Sequence, residues 1–149
     1  GLYERTQIYA TDVNQSGVAR AREGVYPESL ADGFAASYVA SGGTGRFEDY
    51  FRRAGGGIVA REELRKNVVC FQHDLVMDRT LGEMQVIVCR NVLIYFGAAL
   101  RERVLDMFSE SLCRGGFLCL GASESLPASH ARHFTAFSSP ERIYRRGTE

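Results

Sequence analysis

Ile8-Tyr9-Ala10-Thr11-Asp12-Val13-Asn14-Gln15-Ser16 decides the architecture. A short β-prone run ends on an acidic residue, and Asn14-Gln15-Ser16 then supplies the polar side chains that cap a helix. Val18, Ala19, Ala21, Arg22 and Glu23 carry that helix to Gly24, which stops it. Strand, acidic residue, cap and helix make half of a βαβ unit. Further along, Val68-Val69-Cys70-Phe71 and Val86-Ile87-Val88-Cys89 are unbroken apolar runs, the pattern of parallel strands covered on both faces. Leu100, Val104, Met107, Phe108, Ser111 and Leu112 recur at helical spacing and predict a long amphipathic helix that Arg114-Gly115-Gly116 ends. Phe117-Leu118-Cys119-Leu120 predicts one more buried strand. Phe134-Thr135-Ala136-Phe137 and Ile143-Tyr144-Arg145 predict a closing antiparallel hairpin. The pattern is that of a doubly wound α/β sheet with an antiparallel end.

Between the first two strands the character changes. Six of the sixteen glycines fall between Gly42 and Gly57, among the aromatics Phe34, Tyr38, Phe47, Tyr50 and Phe51. Ile58-Val59-Ala60-Arg61 reads as the return strand of a small hairpin after Gly55-Gly56-Gly57. Residues 25–67 are therefore expected to form a small β-subdomain inserted into the main sheet. Gly42-Gly43-Thr44-Gly45-Arg46 follows a helix-like stretch rather than a strand, so it reads as a flexible loop and not as a phosphate cradle.

With 149 residues, 45% of them hydrophobic and 24% charged, the chain is long enough for one domain with a core and is neither disordered nor fibrous. Eighteen basic residues balance eighteen acidic ones; all but Lys66 of the basic set are arginine, and they are scattered. That balance predicts no nucleic-acid surface. No apolar run approaches the roughly 18 residues of a membrane span, and Gly1-Leu2-Tyr3-Glu4-Arg5 has no signal-peptide character. Cys70, Cys89, Cys113 and Cys119 form no CxxC pair and read as free thiols of a cytoplasmic protein. His130 and His133 have a spacing that suits a ligand pair, but without a third ligand cluster they are expected to lie on the surface.

Ligands of open α/β sheets bind beyond the carboxyl ends of the strands. Three strands end in polar clusters there: Asp12, His73-Asp74-Leu75 and Arg90-Asn91. A carboxylate at Asp12 suits the vicinal hydroxyls of a ribose. The same residue also reads as a helix-start residue beside the macrodipole.

Cys89-Arg90-Asn91-Val92-Leu93-Ile94-Tyr95-Phe96, taken with residues 8–14, Gln72-His73-Asp74-Leu75, Gly115-Gly116-Phe117-Leu118 and Gly121-Ala122-Ser123-Glu124-Ser125, resembles the chemotaxis receptor methyltransferases of the CheR family. The likeness covers nearly all of the chain except the Gly-rich middle. It implies a Rossmann-like methyltransferase sheet and S-adenosylmethionine as cofactor, with S-adenosylhomocysteine as product. It also implies esterification of glutamate side chains on the cytoplasmic domain of bacterial chemoreceptors, where the enzyme is recruited to receptor arrays. By the same resemblance, Asp12 takes the ribose hydroxyls, and Asp74 and Leu75 border the adenine; many relatives carry Asn where this chain has Asp74. Arg90 and Asn91 lie against the methionine end, and Tyr95 stands near the transferred methyl and the incoming carboxylate. Val92, Leu93, Ile94 and Phe96 are expected to be packing residues. A carboxylate nucleophile is already anionic, so neither a catalytic triad nor a metal is expected.

The family's Gly-rich cofactor loop and amino-terminal helical domain precede the strand that ends at Asp12, so residues 1–149 are expected to be the carboxy-terminal part of a methyltransferase domain. The expectation is weak cofactor binding or none and no turnover by this stretch alone. An exposed sheet would favour self-association. In some members the inserted subdomain captures a receptor tail by adding a strand. A non-catalytic receptor-tether or protein-interaction module is the alternative. A nicotinamide-binding fragment would account for Asp12 but not for Arg90 to Phe96.

Overall fold

The computed structural model describes residues 1–148, in two compact units that divide between Asp74 and Leu75. The first unit contains β1 (Ile8–Asp12), α1 (Gln15–Glu23), β2 (Val25–Pro27), α2 (Ala31–Ala40), β3 (Phe51–Ala54), β4 (Gly57–Ala60), α3 (Glu62–Arg65) and β5 (Val68–Gln72). β1 and β5 pair in parallel, from Ile8 opposite Val68 to Asp12 opposite Gln72. Between them α1 begins where the Asn14 side chain accepts the N–H groups of Ser16 and Gly17, at 2.9 and 3.3 Å. Those are two of the donors that a helix start leaves unpaired. It ends at Gly24, whose φ of 64° lies in the left-handed region that a side chain disfavours. The first half-unit thus forms as the sequence predicts.

β2, β4 and β3 make a separate antiparallel sheet in that order, with β4 buried along its length. Its core is aromatic: Phe47 stacks on Phe51 at 4.7 Å between ring centroids, and Tyr26 meets Phe34 edge-on at 5.6 Å. The Gly-rich stretch packs more closely than a flexible loop would. Gly43 lies against the Tyr38 ring, the Gly45 N–H donates to the Tyr38 hydroxyl at 3.0 Å, and that hydroxyl lies 3.1 Å from Tyr50 Oη.

The second unit contains β6 (Met84–Cys89), α4 (Ala98–Ser111), β7 (Leu112–Leu120), β8 (Phe134–Ser138) and β9 (Ile143–Arg146), in one sheet ordered β6-β7-β9-β8. β6 and β7 are parallel, and β9 is antiparallel to both β7 and β8. The expected α/β class and terminal hairpin are present. One boundary differs. The helix stops at Ser111, and Arg114-Gly115-Gly116 lies inside β7. The register steps from Met84–Leu112 to Val86–Phe117, so residues 113–116 bulge out of the ladder rather than turning the chain.

The core of this unit is Cys89, Leu93, Val104, Leu105, Phe108, Leu112, Leu118, Leu120 and Phe134, with α4 packed on one side. Strand alternation sends Ile87 and Cys89 into that core and Val86 and Val88 to the other face. Val86 is 54% exposed and Val88 67%, so β6 is covered on one face rather than two. All four cysteines are free, Cys70 and Cys89 buried and Cys113 and Cys119 half-buried. Among the described residues no helix is long and apolar enough to cross a membrane.

Candidate functional site

In the first unit, parallel pairing brings the carboxyl ends of β1 and β5 side by side. Asp12 ends β1 with an exposed side chain, and its carbonyl accepts the His73 N–H at 3.1 Å, which extends the ladder to the residue before Asp74. Asp12 Oδ1 accepts the Asn14 N–H at 2.8 Å. That bond closes an Asx-turn before α1, which is the helix-start reading of Asp12. Asp74 is half-buried in the loop after β5. Asp12 and Asp74 therefore stand at the same end of one strand pair.

In the second unit, β6 ends at Cys89, and Arg90 and Asn91 follow as exposed residues. Asn91 has φ 58°, one of two non-glycine residues in the left-handed region among those described. A one-turn helix, Leu93–Tyr95, comes next. Leu93 is 1% exposed and, with half-buried Val92 and Phe96, packs as expected. Ile94 does not: it is 46% exposed, because a single turn points successive side chains in different directions and only one face meets the core. Tyr95, 80% exposed, presents its ring to solvent. Leu75 packs against the core of this unit, so its side chain has a structural partner as well.

The residue that shapes this turn is one that sequence reasoning left unassigned. Glu124, 4% exposed, lies four residues past the end of β7. Its Oε2 accepts the N–H groups of Asn91 at 3.0 Å and Gly121 at 2.6 Å. Its Oε1 accepts those of Val92 at 2.9 Å and Ile94 at 3.3 Å. Burial pushes its carboxyl up, but the N–H donors of Gly121, Asn91 and Val92 outweigh burial and hold it below the ordinary carboxylate range. Burial, and then the Glu124 charge, push the Cys89 thiol up to about 12, so this cysteine is an inert neutral group. The available signal was an acidic residue soon after an apolar strand, in Gly121-Ala122-Ser123-Glu124-Ser125; no periodicity marks it as buried.

His130 corrects an expectation. It is 2% exposed, with Nε2 at 3.1 Å from Asp106 Oδ1 and Nδ1 at 3.3 Å from Glu102 Oε2. Glu102 and Asp106 are one turn apart on α4, so they present two carboxylates to one ring. Among the described residues no group of three His, Cys, Asp or Glu side chains is placed to hold a metal.

Taken by itself, the first unit offers an exposed carboxylate at a strand end, of a type that suits a ribose, and the second an exposed amide and phenol in one turn, of types that suit an amino-acid end. Residues 2–143 match the family model described as CheR methyltransferase, SAM binding domain. The chain is 41% identical over 147 residues to a protein of Pseudomonas putida named "Putative methyltransferase Cher3", covering 98% of the chain and 54% of that protein. It is 35% identical over 147 residues to chemotaxis protein methyltransferase 1 of Vibrio cholerae, covering 97% of the chain and 51% of that protein. It is 35% identical over 141 residues to chemotaxis protein methyltransferase 1 of Pseudomonas aeruginosa, covering 93% and 49%. The chain thus spans about half the length of these curated relatives. The cofactor of this family is S-adenosylmethionine. A parallel β1–β5 pair, a parallel β6–β7 pair closed by an antiparallel hairpin, and a family match along nearly the whole chain carry one conclusion: the chain belongs to the CheR methyltransferases, through their S-adenosylmethionine-binding domain.

Proposed function

We propose that the protein methylates glutamate side chains on the cytoplasmic domain of bacterial chemoreceptors, and that this chain is the carboxy-terminal part of its catalytic domain, working in the cytoplasm at receptor arrays. The observation that carries this reading is the turn after β6, with Asn91 left-handed and Tyr95 exposed. S-adenosylmethionine, when bound, supplies a methyl group on a sulfonium, which a carboxylate can attack without general-base help. What the chain's residues must do is therefore orient and desolvate. In the first unit, Asp12 accepts ribose hydroxyls and Asp74 accepts from the adenine amino group. In the second, Leu75 borders the adenine, Arg90 and Asn91 hold the methionine end, and Tyr95 faces the transferred methyl and the incoming carboxylate.

Residues 25–67 are proposed as an inserted subdomain, a reading supported by their separate three-stranded sheet. Both β2 and β3 are edges of that sheet, and either offers unpaired backbone groups to a receptor tail. Titration with a tail peptide tests this, and absence of binding removes the tail from the proposal.

Calorimetric titration of S-adenosylhomocysteine into this chain and into the protein at the full length of its relatives tests the cofactor reading. Binding that weakens on Asp12→Ala and on Asn91→Ala supports it. Absence of binding by both lengths overturns it and favours a non-catalytic interaction module.

A further inference from the structure

The geometry points to Glu124 as a positioning residue of the methyltransferase site: its buried carboxylate clamps the turn after β6 and so fixes how Arg90, Asn91 and Tyr95 are presented. This assignment rests on the proposed function for what the turn presents, but the clamp itself stands on contacts within the second unit.

A buried carboxylate needs compensation. Among the described residues no cation pairs with Glu124; four backbone N–H groups satisfy it instead. Charge-assisted bonds of this kind are the strong ones. Three donors come from residues 91–94 and the fourth from Gly121, so one side chain ties the loop after β6 to the loop after β7. The clamp bonds the N–H of Asn91 itself, whose left-handed conformation asparagine tolerates better than other residues with a side chain but which remains uncommon. Such residues concentrate at functional sites.

Gly121 completes the arrangement. A Cβ there would lie 2.5 Å from Asn91 Oδ1, 2.8 Å from the Asn91 nitrogen and 2.8 Å from Glu124 Oε2. The Asn91 amide therefore rests on the Gly121 backbone, and its direction is set from below. The chemistry also explains the residue type. Both oxygens face N–H donors, so an acceptor is required at each. Glutamine would turn an NH2 group towards donors. Aspartate keeps the charge but withdraws it by one carbon–carbon bond, about 1.5 Å. With four donors filling it, Glu124 is spent on the turn rather than on substrate.

The test uses the full-length protein, Glu124→Gln and Glu124→Asp, with two readouts. Hydrogen exchange follows the amides of Asn91, Val92 and Ile94, with Leu118 and Leu120 of β7 as the reference. Calorimetry follows S-adenosylhomocysteine. E124Q should exchange about tenfold faster or more at the three turn amides with Leu118 and Leu120 unchanged, and should bind about tenfold more weakly. E124D should fall between. Unchanged exchange at the turn overturns the clamp, and a loosened turn with undiminished affinity overturns the positioning role. If E124Q also loses protection at Leu118 and Leu120, E124D is read by the same two criteria. Failure of the unsubstituted protein to bind refutes the proposed function, and the exchange readout then decides the clamp alone.

Discussion

Hydrogen-bond satisfaction decides most of what single residues do in this protein. Glu124 is held by N–H donors, so its carboxyl lies below the ordinary value of about 4.3. As pH falls, the unfolded chain takes up this proton before the folded one. The stabilisation is complete above the ordinary carboxylate range and disappears as pH drops through the lowered folded value. Urea unfolding from pH 7 to pH 3 should show a steeper acid loss for the unsubstituted chain than for E124Q; parallel curves would contradict it. Gly121→Ala should cost about 1–3 kcal/mol, because the neighbours of the new methyl are partly backbone and cannot swing away. Its unfolding midpoint in urea checks this. His130→Ala leaves a buried cavity and removes the ring between Glu102 and Asp106, and should cost about 2–4 kcal/mol by the same measurement. That the residue is buried was not legible in the sequence. A His-x-x-His spacing says nothing of which side chains a helix elsewhere presents to it.

Among the elements, α1 is the one most fully specified locally. Asn14→Ala removes the acceptor for the Ser16 and Gly17 N–H groups and should cost about 1 kcal/mol in thermal or urea unfolding. A change near zero would mean that packing of Val18 alone holds the helix start. The other ends of elements were less legible. Leu112 continues the helical spacing of Leu100, Val104 and Phe108, yet it begins β7. Periodicity reports which side chains are buried; it does not say where a backbone leaves one ladder for another. Pairing with Met84, and the bulge of residues 113–116 that this pairing imposes, settle the boundary. In the turn after β6, the string from Arg90 to Phe96 marked the proposed site by resemblance, whereas the N–H of Asn91 is bonded by a carboxylate more than thirty residues away.

At the scale of the molecule, the second unit leaves one face of β6 open. Val86, Val88 and Phe137 are 54%, 67% and 65% exposed, a larger apolar display than isolated surface residues make. This chain is expected to self-associate, and Val88→Lys should shift sedimentation velocity profiles towards monomer. A monodisperse monomer without the substitution would contradict the expectation. The open face also explains why the apolar run at residues 86–89 read as a strand covered twice: composition fixes what a strand would bury, and only its neighbours fix what is buried.

The sequence by itself determined the order of β1, α1, β5, β6, α4, β7 and the closing hairpin, the cap and stop of α1, and the polar residues at the carboxyl ends of three strands. Each depends on contacts within a few residues, or on a side-chain period that burial imposes along one element. The tertiary structure alone decided the burial of Glu124 and His130, the close approach of Gly121 to Asn91, the packing of the Gly-rich stretch on Tyr38, and the exposure of Val86, Val88 and Ile94. Those depend on partners brought together from distant parts of the chain, and no local pattern encodes such a partner.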